Sequence, residues 1–298
     1  MSGKLKEVRE RIKSVNSTAQ VTSAMKMVAA AKLKKAQDAI VKLRPYAFRL
    51  NKMLVNILSN LEGEVETKLG EERPVQKAMI VVVTSNRGLC GAFNSNIIKK
   101  AEKAINSEFK EIMNNGNLKM LCIGKKGYEY FKKHYPKIEI DDKYLLAFND
   151  LSHQSIANIS DELMEGFEKG EYDMVKVAFA RFKNAAVQFA ELEQFLPVPK
   201  IEVSDSDIKQ YRHNYIFEPD KDELLHTLIP SIMHTTFQRY LLDTNASEHG
   251  ARMTAMENAT ENAKEMLAEL KLEFNKARQE AITKELLEII SGASALEG

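Results

Sequence analysis

Tryptophan is absent from this chain of 298 residues, and aromatics make up only 7% of it. There are two cysteines, Cys90 and Cys122, with no C-x-x-C between them. That count excludes a disulfide-rich scaffold, offers no redox or zinc motif, and makes a reducing compartment the default. Seven prolines and 13 glycines are too few for a collagen-like or low-complexity chain. No apolar run approaches the ~20 residues that span a bilayer. The opening MSGKLKEVRERIK has charge and no apolar stretch, so a secretory signal is not expected. The six histidines form no H-E-x-x-H or comparable cluster, and no metal site is expected.

Charge is balanced in total, at +1, but not along the chain. Residues 1–60 carry 13 Lys/Arg against Glu7, Glu10 and Asp38, whereas residues 221–298 carry 8 Lys/Arg against 13 Asp/Glu. A basic arm points to nucleic acid, an anionic membrane or an acidic protein surface, or simply to pairing between the two ends of the chain. The basic stretch has no interleaved aromatics before Tyr46 and Phe48, so nucleic-acid binding has no support.

Apolar spacing divides the chain into helix, mixed middle and helix. From Leu5 through Val8, Ile12, Val15, Ala19, Thr22, Lys26, Ala29, Leu33, Ala36, Ile40, Leu43, Ala47, Leu50, Leu54 and Ile57 to Leu61 the steps alternate three and four. Only Thr22 and Lys26 break the apolar rule of this coiled-coil seam. A helix over 4–61 would be ~87 Å long at ~1.5 Å per residue, more than a small core needs. Pro45 is expected to kink it or mark its weak point.

The C-terminal segment repeats the pattern through Met253, Met256, Thr260, Ala263, Leu267, Leu270, Phe274, Ala277 and Ala281, then shifts phase to Ile282, Leu286 and Ile289. A continuous helix over 222–291 would span ~105 Å, with Pro230 and Gly250 as places for a break. Two long helices at opposite ends of one chain are expected to lie antiparallel. The pairs Met25/Met27 and Met253/Met256 read as packing in this seam.

Residues 75–215 change character. KAMIVVVTS (77–85) is a buried-strand run, followed by a helix over 95–112. LKMLCIG (118–124) reads as a strand, 126–134 as a short helix, KIEI (137–140) as a third strand and 152–170 as an amphipathic helix. DMVKVAFARF (173–182) and VQFAELEQFLPV (187–198) flank the hairpin signal Lys183-Asn184. The order gives a mixed, partly parallel sheet with helices on its faces, a Rossmann-like α/β domain. KIEV (200–203) is an expected edge strand within a loop that runs to about Asp222. The organisation is therefore a coiled-coil helix over 1–61, an α/β domain over 75–215 and a second coiled-coil helix over 222–298.

Chemistry is sparse. The loop SNRGLCGAFNSN (85–96) joins a strand to a helix, where backbone N–H groups can meet a phosphate. Gly88 and Gly91 are spaced G-x-x-G, which matches neither nucleotide fingerprint, and the plainer reading is a tight turn. Cys90 stands near a helix start, where a thiol can be reactive; Cys122, inside a strand, reads as a small buried hydrophobe. No catalytic residues and no cofactor are assigned. Taken alone, the ends fit a coiled-coil tether or scaffold, and the middle fits a small α/β nucleotide-binding enzyme.

Three blocks decide between these readings. KLKEVRERIKSVNSTAQVTSAMKMVAAAKLKKAQ (4–37), VVTSNRGLCGAFNSNI (82–97), and ASEHGARMTAMENATENA (246–263) followed by FNKARQEAITKELLEIISGASAL (274–296) closely resemble the gamma subunits of F-type ATP synthases, in that family's order. The resemblance implies a non-catalytic central rotor shaft that turns inside a ring of three alpha and three beta subunits, whose nucleotide sites lie on the ring. It implies that an acidic loop of beta faces Met25 and Lys26, and that Arg252, Arg278, Gln279 and Thr283 are polar contacts with the ring. The apolar end, Ile289 to Leu296, would sit in the ring's sleeve. The α/β domain would meet epsilon and stand on the c-ring, which couples proton or sodium flow to ATP chemistry. Peripheral attachment to the cytoplasmic face of a bacterial inner membrane follows, since no transit peptide is seen. The regulatory cysteine-pair insertion of chloroplast members has no counterpart, so thiol control of that kind is not expected.

Overall fold

The computed structural model describes residues 3–59, 68–198 and 221–297. The chain divides into two compact units, one formed by 1–29 with 252–298 and the other by 30–251. Helix α1 (Gly3–Ser59) and the C-terminal helix (Lys221–Glu297, α6 below) each contribute to both.

In the first unit the two helices are antiparallel. Lys4 pairs with Glu280, Arg9 lies over the Phe274 ring, Thr22 meets Thr260 and Lys26 meets Glu257, so the partner's number falls as α1 advances. The seam spacing predicted this: Leu5, Val8, Ala19, Thr22 and Ala29 are buried, opposite Met256, Ala263, Leu270 and Ala277. Each fully buried leucine contributes ~1.5–3 kcal/mol, while alanine contributes close approach. Thr22, a break in the apolar pattern, satisfies its hydroxyl on the carbonyls of Thr18 and Ala19 as well as with Thr260. Met27 departs from the expectation of packing. It is 65% exposed, because it lies one position, or about 100° of helix, beyond the seam.

The second unit is built on a five-stranded sheet in the order β3-β2-β1-β4-β5. Its strands are β1 (Ala78–Val83), β2 (Leu118–Ile123), β3 (Glu139–Asp141), β4 (Met174–Phe182) and β5 (Gln188–Leu196). The first four are parallel neighbours, and β5 returns antiparallel to β4. The Lys183-Asn184 signal marks the hairpin, although its loop is longer than two residues. Asn184 Oδ1 accepts from the N–H groups of Ala186 and Val187 and so closes it.

Every residue of β1 is buried, because both sheet faces are covered. On one face Met79, Val81 and Val83 meet α5 (His153–Glu168) and the Met233–Leu241 part of α6. On the other, Ala78, Ile80 and Val82 meet α2 (Phe93–Ser107) and Phe131 of α4 (Lys125–His134). Two faces filled by alternate residues of one strand are what a continuous apolar run encodes. The single helix expected over 95–112 is two, α2 and the short α3 (Lys110–Asn114), because Phe109 turns inward to full burial.

None of the three positions singled out in the sequence interrupts a helix. Helix α1 is unbroken through Pro45, whose side and that of Val41 face solvent, so the carbonyl left without a donor can be hydrated. Helix α6 runs through Pro230 and Gly250. Gly250 is a spacer: a Cβ there would lie 3.2 Å from the Ala185 backbone. The expected KIEV strand at 200–203 lies outside the described residues.

Strand β4 outlasts β1. The parallel pairing ends at Val82 with Ala178, and α6 takes over the open backbone beyond it. Thr244 Oγ1 accepts from the Ala180 N–H at 3.2 Å, and Ser247 Oγ donates to the Ala180 carbonyl at 3.2 Å. This is the crevice at the strands' carboxyl ends where open α/β sheets place a ligand. Here a helix of the chain lies against it.

Candidate functional site

In the first unit, Lys26 Nζ stands 2.5 Å from Glu257 Oε1. The one charged seam residue is accommodated because its long stem lies along apolar surface while its ammonium reaches a carboxylate at the rim. Met25 is half-buried beside it. Arg252 is half-buried on α6, ~8 Å along the helix axis from Glu257. These three residues therefore form one group.

The remaining predicted residues form another. Gln279 and Thr283, one turn apart, are exposed and line a shallow groove with Lys276, Glu280, Lys284 and Leu287. Arg278 is exposed on the adjoining face. At ~1.5 Å per residue, Gln279 lies ~40 Å along α6 from Arg252, so no single pocket can contain all six residues. What they share is that none is buried: Met25, Lys26 and Arg252 are half-buried, and Arg278, Gln279 and Thr283 are exposed.

Lys4, next to the first described residue of α1, pairs with Glu280, so no described residue of α1 faces the helix beyond Ala281. Ile282, Leu286, Leu287, Ile289 and Ile290 are consequently 45–65% exposed. An apolar patch of this kind on a charged helix marks a contact surface. The phase shift after Ala281 in the sequence is the signal of this change from internal seam to outward-facing stripe.

Sequence reasoning missed Glu257 as the partner of Lys26. The signal was present: each seam contains one threonine with an alanine three positions away, Ala19 or Ala263, and aligning Thr22 with Thr260 fixes the register that brings Lys26 to Glu257. The ion pairs Lys4–Glu280 and Lys26–Glu257 also account for part of the opposite charge of the two ends.

In the second unit the loop after β1 is a tight turn. Asn94 Oδ1 accepts from the Ser85 N–H at 3.0 Å, Asn86 Oδ1 accepts from the Lys125 N–H, and the Ser85 carbonyl accepts from the Lys126 N–H. Leu89 and Gly91 adopt positive φ to make the bend. Cys90 is only 1% exposed and receives a contact from Asn94 Nδ2, so it is no accessible thiol. Burial, with Asp141 and Asp142 nearby, pushes the Cys122 thiol up to about 12, as fits a packing residue. Among the described residues no group of three or more His, Cys, Asp or Glu side chains is placed to hold a metal ion. No described helix is long and apolar enough to cross a membrane.

Comparison with known proteins agrees with these features over nearly the full length. The family described as ATP synthase matches residues 4–296. A protein of Cytophaga hutchinsonii named ATP synthase gamma chain is 49% identical, covering 98% of each chain. One of the same name from Flavobacterium johnsoniae is 47% identical over 99% of each. Among solved structures, a chain of the Euglena gracilis mitochondrial ATP synthase assembly of OSCP, F1 and c-ring shares the fold, with a TM-score of 0.67 at 21% identity over 99% of this chain and 95% of that one. A chain of the Tetrahymena thermophila central stalk and c-ring has a TM-score of 0.55 at 23% identity, covering 80% of this chain and 99% of that one. An antiparallel helix pair with an uncovered apolar end, an α/β unit threaded by the same helices, and near-full-length identity close to one half lead to one conclusion: the chain belongs to the family of F-type ATP synthase gamma chains.

Proposed function

We propose that this chain is the rotating central stalk of an F-type ATP synthase. It is itself non-catalytic and carries torque between a c-ring and the catalytic sites of an alpha–beta ring. The observation that carries this reading is the end of α6: five large apolar side chains left exposed, with no described residue of α1 facing them. A stripe of that kind needs an apolar bearing supplied by other chains. The near-identity in length with relatives named gamma chain supports the same reading.

In this reading the group Met25, Lys26 and Arg252 and the group Arg278, Gln279 and Thr283 contact the ring at two heights. The α/β unit meets epsilon and the c-ring, attachment to the cytoplasmic face of the bacterial inner membrane is peripheral, and no nucleotide or nucleic acid binds the chain. Contacts that differ between rotor angles shape the rotational barrier, because only differential interactions shift a rate or an equilibrium.

The test is co-expression with alpha and beta subunits. The expected result is a stoichiometric complex whose ATP hydrolysis turns a bead attached to the α/β unit in one direction. A chain that hydrolyses ATP alone, or fails to enter the complex, would overturn the reading.

A further inference from the structure

In the second unit, α1, the end of β4 and α6 enclose a cleft of about 480 Å³. That lies within the range of sites for small organic ligands. It is lined by the apolar Leu43, Ala47, Leu50 and Ile232 together with Arg44, Arg181, Arg239 and Asp243. None of these residues belongs to the proposed ring contacts.

The charges of this lining are arranged unusually. Arg181 Nε donates to Glu191 at 2.6 Å and Arg239 Nη2 donates to Glu193 at 2.8 Å. Each guanidinium has five N–H donors in all, so a single carboxylate contact leaves others to serve the cleft. Asp243 is only 9% exposed. It is faced by Arg239 on its own helix, Arg44 from α1, Arg181 from β4 and Glu191 from β5. Burial outweighs the three arginines and pushes its carboxyl up to about 6. With Asp243 ionised, three cations meet three carboxylates. With Asp243 protonated, one positive charge is left over in a cleft with an apolar lining. An external anion can reach that charge, because Arg44 and Arg239 are exposed and the Arg181 side chain is 43% exposed, and its binding would match it.

We infer that this cleft binds an amphipathic monoanion, its head between Arg44, Arg181 and Arg239 and its apolar body along Leu43, Ala47, Leu50 and Ile232, and that binding takes up a proton on Asp243. The inference does not depend on the rotor reading. An inorganic anion would satisfy the arginines and leave the apolar lining wetted, so the apolar body is part of the specificity.

The test uses the full-length chain and decanesulfonate, whose head stays ionised throughout, titrated by calorimetry at pH 5.5 and 7.5. Affinity is expected to be about tenfold or more higher at pH 5.5, because only the protonated fraction is competent. Calorimetry in buffers of different ionisation heat at pH 7.5 should show close to one proton taken up per ligand. Asp243→Asn should bind tightly at both pH values, and Arg44→Gln should lose about tenfold at pH 5.5. Circular dichroism establishes that each variant is folded, and a second head variant, Arg181→Gln, stands in for any that is not. Binding that is independent of pH in the unmodified chain, or unaffected by both arginine substitutions, would overturn the proposal. Inorganic phosphate binding as tightly as decanesulfonate would overturn the amphipathic assignment.

Discussion

Lys26 Nζ lies 2.5 Å from Glu257 Oε1 across the antiparallel pair, yet 38% of the lysine side chain and 49% of the glutamate remain exposed. Exposure of that degree makes the pair a marker of register more than a source of stability. Lys26→Met should therefore change thermal stability by no more than ~1 kcal/mol. Lys26→Glu should destabilise, and the exchange Lys26→Glu with Glu257→Lys should recover most of the loss. Thermal melts of the unmodified chain, Lys26→Glu, Glu257→Lys and the exchange close this double-mutant cycle.

The uncovered end of α6 leads to a deletion prediction. Removing 282–298 takes away the exposed stripe of Ile282, Leu286, Leu287, Ile289 and Ile290, so melting of the isolated chain should shift by less than ~1 kcal/mol and self-association should fall. Removing everything after Arg252 strips the partner from Leu5, Val8 and Ala19, and the chain should aggregate. Light scattering and melting curves distinguish the two outcomes. Equal damage from both deletions would refute the assignment of the seam.

Gly124 joins β2 to α4 with φ +96°, and a Cβ there would lie 2.0 Å from the Thr84 carbonyl oxygen. Neither the backbone conformation nor the neighbour can yield cheaply. Gly124→Ala is expected to cost more than ~3 kcal/mol by denaturant unfolding. Gly88→Ala, where nothing lies within 4 Å of the new atom, is the matched control and should be nearly neutral.

Asp243 makes stability pH-dependent with a definite sign. Its carboxyl is raised from the ordinary 3.8 to about 6 in the folded chain. The folded state thus holds a proton that the unfolded state releases between those values. The resulting contribution is fully present below pH ~4 and lost as pH rises through ~6, a difference on the order of 2–3 kcal/mol. Asp243→Asn should raise the melting temperature at pH 7.5 and leave it nearly unchanged at pH 4.5.

Arg252 and Gln279 carry the rotor proposal's kinetic prediction. A partly desolvated, charge-assisted hydrogen bond is worth ~1.5–3 kcal/mol, and one made at a single rotor angle must break before the next. In assembled complexes of equal stoichiometry, Arg252→Cys and Gln279→Leu should each lower ATP turnover by more than ~10-fold, equivalent to ~1.4 kcal/mol of barrier. Lys42→Ala, at an exposed position on α1, should have little effect. Unaltered turnover in both variants would make these side chains ordinary helix surface.

Periodicity alone determined both terminal helices, their seams and the alternation of strands and helices between them. Those features follow from spacing, and spacing is written residue by residue: Leu5, Val8, Ala19, Ala263, Leu270 and Ala277 are buried where three–four steps place them. The three sequence blocks likewise identified the family, because residue identity over 4–296 needs no coordinates. Tertiary structure alone decided the burial of Cys90 and the continuity of α6 through Gly250. It also decided the gathering of Arg44, Arg181, Arg239 and Asp243 at one cleft. Each of these depends on which segments, far apart in the chain, approach one another. Local pattern specifies the face a helix buries; what that face meets is set only when the elements pack.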